Sequence, residues 1–223
     1  MSLWKKDLPE FGRMINGLEV PILLDQINIS KLNGKMGKPM LTDKNYFFES
    51  RRLGFRKFKD SDLEAFYKMN SDEEVMKYFP SLLDRAQTQH LMKSINQHIQ
   101  DHGFGFFAID LLASDKLIGF IGLKKTSFNA DFTPCVEIGW RLDKNFWEKG
   151  LTTEGAQRCL KFAFSELGLK EVVSFTPMLN KPSERVMQKI GMIKISEFDH
   201  PSIEDLHPLK RHCLYISTKI GWK

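Results

Sequence analysis

Val136-Glu-Ile-Gly-Trp-Arg-Leu-Asp-Lys-Asn-Phe-Trp-Glu-Lys-Gly-Leu-Thr-Thr-Glu154 is the stretch on which the fold turns. Its first part, Val136 to Leu142, predicts a strand. A polar loop carrying Lys149-Gly150 follows, and a helix starts at once at Leu151. The first backbone N–H groups of a helix lack intrahelical partners and sit at the positive end of its dipole. A phosphate there is bound by main chain, and Gly150 allows close approach. Lys149 adds a cation, and Thr152 and Thr153 add hydroxyl donors. The stretch is neither GxxxxGK[ST] nor GxGxxG, which argues against a triphosphate cradle and a dinucleotide fingerprint. The alternative is an ordinary strand–loop–helix connection with a capping Thr.

Toward the C-terminus, the helix from Leu151 to Leu167 turns Ala156, Leu160, Ala163, Phe164 and Leu167 to a core, and Gly168 ends it. Glu171 to Phe175 is rich in β-branched residues and predicts a strand. A second informative segment follows, from Pro177 to Met192. Asn180 offers amide donors and acceptors at a strand end. Ser183, just after Pro182, is placed to cap a helix over 183–190, or to face a ligand between the strands. Strands at about 192–197 and 212–218 complete the chain. Toward the N-terminus, a strand over 52–58 precedes Asp60-Ser61-Asp62, which reads as an N-cap for a helix bearing Leu63, Phe66 and Met69. A longer helix over 85–101 ends at Gly103, and strands follow at 104–109 and 117–124. The order is that of an α/β layer structure with a mixed sheet. Residues 1–48 read as an extension, with an apolar Leu18–Leu24 segment and a turn-rich 33–39 stretch. It either packs on the domain 49–223 or forms a flap over a substrate site.

Composition narrows the function. The chain has 223 residues, 42% of them hydrophobic and 27% charged, which suits a folded domain with a short appendage. Lys+Arg 33 minus Asp+Glu 28 leaves a net charge of +5. That permits an anionic ligand and gives no reason to expect nucleic acid. Cys135, Cys159 and Cys213 form no CxxC pair, so neither a zinc site nor a redox dithiol is expected. No apolar run reaches the ~20 residues that span a bilayer. A cytoplasmic protein without membrane partners is the reading.

Four stretches, in this order, resemble the GNAT superfamily of acyl-CoA N-acyltransferases, and within it the RimJ/RimL-like ribosomal-protein N-terminal acetyltransferases. They are Arg52-Leu-Gly-Phe-Arg; Leu117-Ile-Gly-Phe-Ile-Gly-Leu123; Glu137-Ile-Gly-Trp-Arg-Leu with Trp147-Glu-Lys-Gly-Leu-Thr-Thr-Glu154; and Asn180-Lys-Pro-Ser183 followed by Val186, Lys189 and Gly191-Met192. The resemblance implies a splayed central sheet flanked by helices. The strand ending at Leu142 and the strand ending at Phe175 diverge, and the pantetheine arm of acetyl-CoA enters between them. Main-chain groups of Ile138, Trp140 and Leu142 would bond that arm. The loop Trp147, Glu148, Lys149, Gly150, Leu151, Thr152 and Thr153 would hold the pyrophosphate, and Asn180 and Ser183 would flank the thioester. Trp147 stands where the wider family has Arg or Gln. Glu148 replaces a common Gly and Thr152 a common Ala or Gly, and a carboxylate at 148 would repel pyrophosphate unless it points away.

The implied reaction is direct transfer of acetyl from acetyl-CoA to a primary amine such as a protein N-terminal α-amine, with no metal. Glu137, on the strand bordering the thioester, is the candidate base; its bland role is a strand-edge charge or a partner of Arg141. By the resemblance, Ser183 is the candidate acid for the departing thiolate, and the N–H near Trp140 would steady the oxyanion. Cys135 reads as a packed thiol and the histidines as solvent-facing. The rival readings are a non-catalytic CoA-binding or partner-binding module and an RNA-associated protein. Self-association as a homodimer is left open.

Overall fold

The computed structural model describes residues 12–15, 18–21 and 46–222. The chain divides into two compact units, Met1–Pro39 and Met40–Lys223. In the first, β1 (Gly12–Ile15) pairs antiparallel with β2 (Leu18–Pro21). The turn-rich 33–39 stretch lies outside the described residues. In the second unit, Tyr46 and Phe48 are already buried, so its core reaches N-terminal of the expected boundary at residue 49.

The second unit is an eight-stranded mixed sheet with helices on both faces. Its strands are β3 (Phe48–Glu49), β4 (Leu53–Arg56), β5 (Phe106–Leu111), β6 (Lys116–Thr126), β7 (Cys135–Leu142), β8 (Glu171–Pro177), β9 (Ile193–Asp199) and β10 (Arg211–Thr218). The spatial order is β3-β4-β5-β6-β7-β8-β10-β9. Neighbours run antiparallel except β7 and β8, which run parallel at the middle of the sheet.

Three helices precede the long hairpins: α1 (Leu63–Asn70), α2 (Glu73–Met76) and α3 (Arg85–His102). Asp72 caps α2 through the N–H groups of Glu74 and Val75, and Asp84 caps α3 in a box with Gln87. Gly103, at φ +74°, closes α3 as its position in the sequence requires. On the sheet face that includes Phe120, α1 packs through Phe66, with ring centroids 6.0 Å apart. The helix α4 (Leu151–Lys161) covers the opposite face. There Gly155 lies against Ile121, Leu53 and Phe55, so closely that a Cβ would fall 2.4 Å from Ile121 Cδ1.

The helix expected to run unbroken to Leu167 stops being α-helical at Lys161, and Phe162–Glu166 widen into a π turn. The extra residue lets Phe162 pack on Phe48, at 4.7 Å, while Phe164 packs on Trp222, at 5.7 Å. An aromatic requirement of the core therefore overrides the 3.6-residue repeat.

Asp62 does not cap α1 as expected. With Asp110 it holds Arg56 in a buried three-membered ion cluster, with N–O distances of 2.5 and 2.6 Å, and Tyr46 donates its hydroxyl to Asp110. Removing one partner leaves an uncompensated buried charge. Asp110→Ala is therefore expected to cost about 3–5 kcal/mol, read as a fall in the urea midpoint without a change in slope.

Candidate functional site

The parallel ladder between β7 and β8 consists of one register position, Glu137 opposite Val173. One step on, the Ser174 hydroxyl donates to the Ile138 carbonyl at 2.9 Å. Beyond that, no ladder joins the two strands among the described residues, and the gap expected from the sequence is present. Strand alternation aims the main-chain groups of Ile138, Trp140 and Leu142 at this edge. Two of those carbonyls are already engaged: Ile138 by Ser174, and Leu142 by the Trp147 indole N–H at 2.9 Å. Trp140 is the one of the three whose carbonyl carries no side-chain bond.

At the far end of β7 the chain makes a one-turn 3₁₀ segment, Lys144–Phe146, started by the Asp143 carboxylate accepting from Asn145 N–H. Lys144 pairs with Asp72 and Glu74 at 2.7 and 2.6 Å, which ties the loop to α2. The Lys149 ammonium donates to the Asn145 carbonyl at 2.8 Å. Gly150 is the N-cap of α4 at φ +72° and makes no side-chain cap bond. The carboxylate on the first turn of the helix, Glu154, is held sideways by Ser50 Oγ, Arg52 N–H and Arg52 Nε at 2.6–2.8 Å. Arg52 also donates to the Lys149 carbonyl at 2.9 Å. The N–H groups of Leu151, Thr152 and Thr153 are thereby left for an incoming anion. Arg52 and Glu154 were not singled out as site residues. Their signal was that each is a charged residue at one end of a recognisable motif stretch.

Glu148 sits at φ +58°, in the left-handed region. This is the physical reason a glycine suits that position, since a side chain there costs on the order of 1 kcal/mol. Glu148→Gly is expected to tighten acetyl-CoA binding several-fold by removing strain and a negative charge together; calorimetric titration against the parent protein checks it.

Asn180, at the end of β8, is the N-cap of α5 (Lys181–Lys189). Its amide oxygen accepts from Ser183 N–H at 3.2 Å, and its amide nitrogen donates to Thr176 Oγ1 at 2.9 Å. This corrects the expectation that Ser183 caps the helix. The helix starts two residues earlier, because Asn180 and Pro182 together make its start. Ser183 is a first-turn residue, part-buried, next to the gap's open end.

The two faces of the sheet divide the candidate residues. Glu137 stands opposite Lys124, and Arg141 opposite Phe120, so both belong to the α1 face, while α4 lies on the other. Burial pushes the Glu137 carboxyl above its usual range, and Lys124 offsets part of the shift. The Thr126 hydroxyl adds to the offset without a well-formed hydrogen bond. Arg141 is not Glu137's partner. Its guanidinium lies 3.9 Å from the Phe79 ring and donates to Asn70 Oδ1 at 2.6 Å, and its buried Nε has no partner. Cys135 is pushed up to about 12 by burial, then by Glu137 and Glu171, which disqualifies it as a thiolate carrier. Of the helix α3 histidines, His90 is exposed. His98 and His102 are instead half-buried and pack on Phe104. No group of three or more His, Cys, Asp or Glu that could hold a metal occurs among the described residues. None of their helices is long and apolar enough to cross a membrane.

An aromatic wall went unread in the sequence. Phe128 and Phe132, from the loop after β6, cover Phe175 of β8 and Phe198 of β9 at centroid distances of 4.8–6.1 Å. These rings come from three separate parts of the chain, so no local periodicity announces them.

The family model described as the acetyltransferase (GNAT) domain matches residues 52–193. An uncharacterized N-acetyltransferase of Bacillus subtilis, YnaD, is 36% identical over 144 residues, covering 64% of this chain and 80% of its own. A GNAT-family acetyltransferase crystal structure from Bacillus anthracis is 28% identical. It superposes with a TM-score of 0.64 over 77% of this chain and 98% of that one. A ribosomal-protein-S5-alanine acetyltransferase from Vibrio fischeri shares the fold at 16% identity and a TM-score of 0.62, over 79% of this chain and 98% of that one. The strand gap and helix-start cradle, on a sheet of this order, are thus met by matched motifs over most of the second unit, and the chain belongs to the GNAT acetyltransferase family, whose members use acetyl-CoA.

Proposed function

We propose that this protein moves an acetyl group from acetyl-CoA directly onto a primary amine, with Glu137 as the base. The observation that carries the reading is the single-position β7–β8 ladder, with Glu137 at its last pair and a helix N-terminus at the open end of the gap. The pantetheine arm lies along the β7 edge, bonded through the main chain of Trp140. Its pyrophosphate rests on the N–H groups of Leu151 to Thr153, and Asn180 and Ser183 border it from β8 and α5. The amine approaches from the α1 face.

An α-amine, with a pKa of roughly 8, loses its proton near pH 7 at a cost of about 1.4 kcal/mol; a lysine at ~10.4 would need more than three times that. Glu137 takes a second proton, from the nitrogen that becomes cationic as the N–C bond forms. The Trp140 N–H steadies the carbonyl oxygen. The C–S bond then breaks, and the departing thiolate takes a proton relayed through the Ser183 hydroxyl, which regains one from water. The raised affinity of Glu137 for protons suits a base working near neutrality.

The motifs resembling the RimJ/RimL-like branch lie mainly in the elements assigned to the cofactor. They speak for acetyl-CoA use more than for a protein N-terminus as acceptor, and acceptor choice rests on the α1 face. The test is calorimetric titration with acetyl-CoA, followed by thiol release from acetyl-CoA in the presence of a panel of primary amines. Binding without turnover on any amine would leave a CoA-binding module in place of an enzyme.

A further inference from the structure

We infer that the acceptor is a small monoamine on an apolar, preferably aromatic, skeleton, and not a polyamine or aminoglycoside. The inference rests on the reading above and concerns the surface on the α1 side of the gap. The register places Val173 beside Glu137. Strand alternation then puts Phe175 and Pro177 on the same face, running away from Glu137 along the β8 border. Through β10 the face continues, with Leu214 opposite Phe175 and His212 opposite both Pro177 and Phe198. Phe128 and Phe132 rise over it, half-buried and so partly open to a ligand.

At the open end of the gap lies a cavity of about 550 Å³, within the range that holds a small ligand. Tyr78 and Phe79 wall it from the segment after α2, Leu179 from just beyond β8, and Pro208 and Leu209 from the connection into β10. Phe79 lies over Arg141 of β7, so the cavity adjoins both strands that border the gap.

The charges on this surface decide between acceptor classes. A polyamine or aminoglycoside carries further ammonium groups, and each must meet a carboxylate or stay in water. Among the described residues, the cavity lining contains no carboxylate and instead carries Lys77 and His207. The aromatic wall adds His200 and His212, and both are held to the neutral form. Burial, then Lys210, lowers His200; burial, with a smaller contribution from His200, takes His212 to about 4. Asp199, the acidic group that acts on His212, is paired with Arg211 at 3.3 Å. Two carboxylates lie on this face, Glu137 beside the gap and Glu171 on the far side of Val173 from Phe175 and Pro177; the amine that reacts takes Glu137, and the surface running toward the cavity offers no further one among the described residues. Apolar rings and Leu179, 55% exposed, meet the rest of the acceptor.

The test measures kcat/KM for 2-phenylethylamine, tryptamine, spermidine, kanamycin and an alanine-initiated peptide, with acetyl-CoA binding measured separately. Phenylethylamine or tryptamine is expected to exceed spermidine and kanamycin by at least tenfold. Leu179→Asp, at an exposed position, is expected to narrow that ratio at least fivefold while leaving acetyl-CoA affinity unchanged. Phe132→Ala is expected to raise KM for the aromatic amines with little change in kcat. A parent enzyme that prefers spermidine, kanamycin or the peptide overturns the inference and leaves acetyl transfer standing. An indifferent Leu179→Asp ratio also overturns it. Failure to bind acetyl-CoA would instead remove the reading beneath it.

Discussion

Gly150→Asp is expected to weaken acetyl-CoA binding by about 100-fold or more while the protein stays folded. Gly150 occupies the N-cap of α4 at φ +72°, and a Cβ there would meet nothing nearer than Arg52 Nη2 at 3.6 Å. Aspartate tolerates the left-handed region better than most residues. It is also a favoured N-cap, since its carboxylate accepts from the second or third N–H of the helix. Those are the donors a pyrophosphate needs. The substitution therefore satisfies the helix with its own side chain and adds a negative charge where an anion should bind. A hundredfold loss corresponds to about 2.7 kcal/mol. The measurement is calorimetric affinity for acetyl-CoA, with thermal unfolding as the control. Unchanged affinity with an unchanged melting temperature would remove the helix start from the binding site. Gly150→Ala separates the contributions, because it brings backbone strain without charge or a capping oxygen.

Glu137→Gln is expected to lower kcat/KM by roughly 100-fold or more at pH 8, in the range that a general base contributes. The sign of the pH dependence follows from burial. The Glu137 pKa is raised in the folded protein, so the working carboxylate is lost as pH falls through a higher value than usual. The parent enzyme should therefore show an acid limb, and the gap between parent and variant should shrink toward low pH, where a protonated Glu137 is no more a base than the glutamine that replaces it. Stability runs the other way. A carboxyl with a raised folded pKa favours folding while protonated and weakens it as pH rises from its unfolded pKa through its folded one. Glu137→Gln should accordingly melt higher than the parent at pH 8, with the advantage fading in acid. Lower activity with higher stability is the pattern of a strained functional group. A rate ratio that stays constant across pH would dismiss Glu137 as the base and leave it a buried partner of Lys124.

Much of this was legible before the coordinates. Residue periodicity and turn residues located β4 through β10 and the helices between them, because local signals such as Gly103 act on their own neighbours. The strand–loop–helix turn around Gly150, on which the proposed cradle rests, was legible for the same reason: a strand end, a glycine and a helix start lie within a dozen residues. Local rules misassigned two candidate caps. Asp62 looked like a cap and belongs to Arg56; Ser183 looked like a cap and is itself capped by Asn180.

The sequence by itself determined the α/β class, the family and the loop that can take a phosphate, since each depends on short-range order along the chain. The tertiary structure alone decided where β7 and β8 part, how Arg52 holds Glu154 away from the helix start, and which rings gather over β8. Those features bring together residues far apart in the chain, Ser50 and Arg52 with Glu154 and Phe128 with Phe175. Pairing register and side-chain packing, which no local pattern encodes, set them.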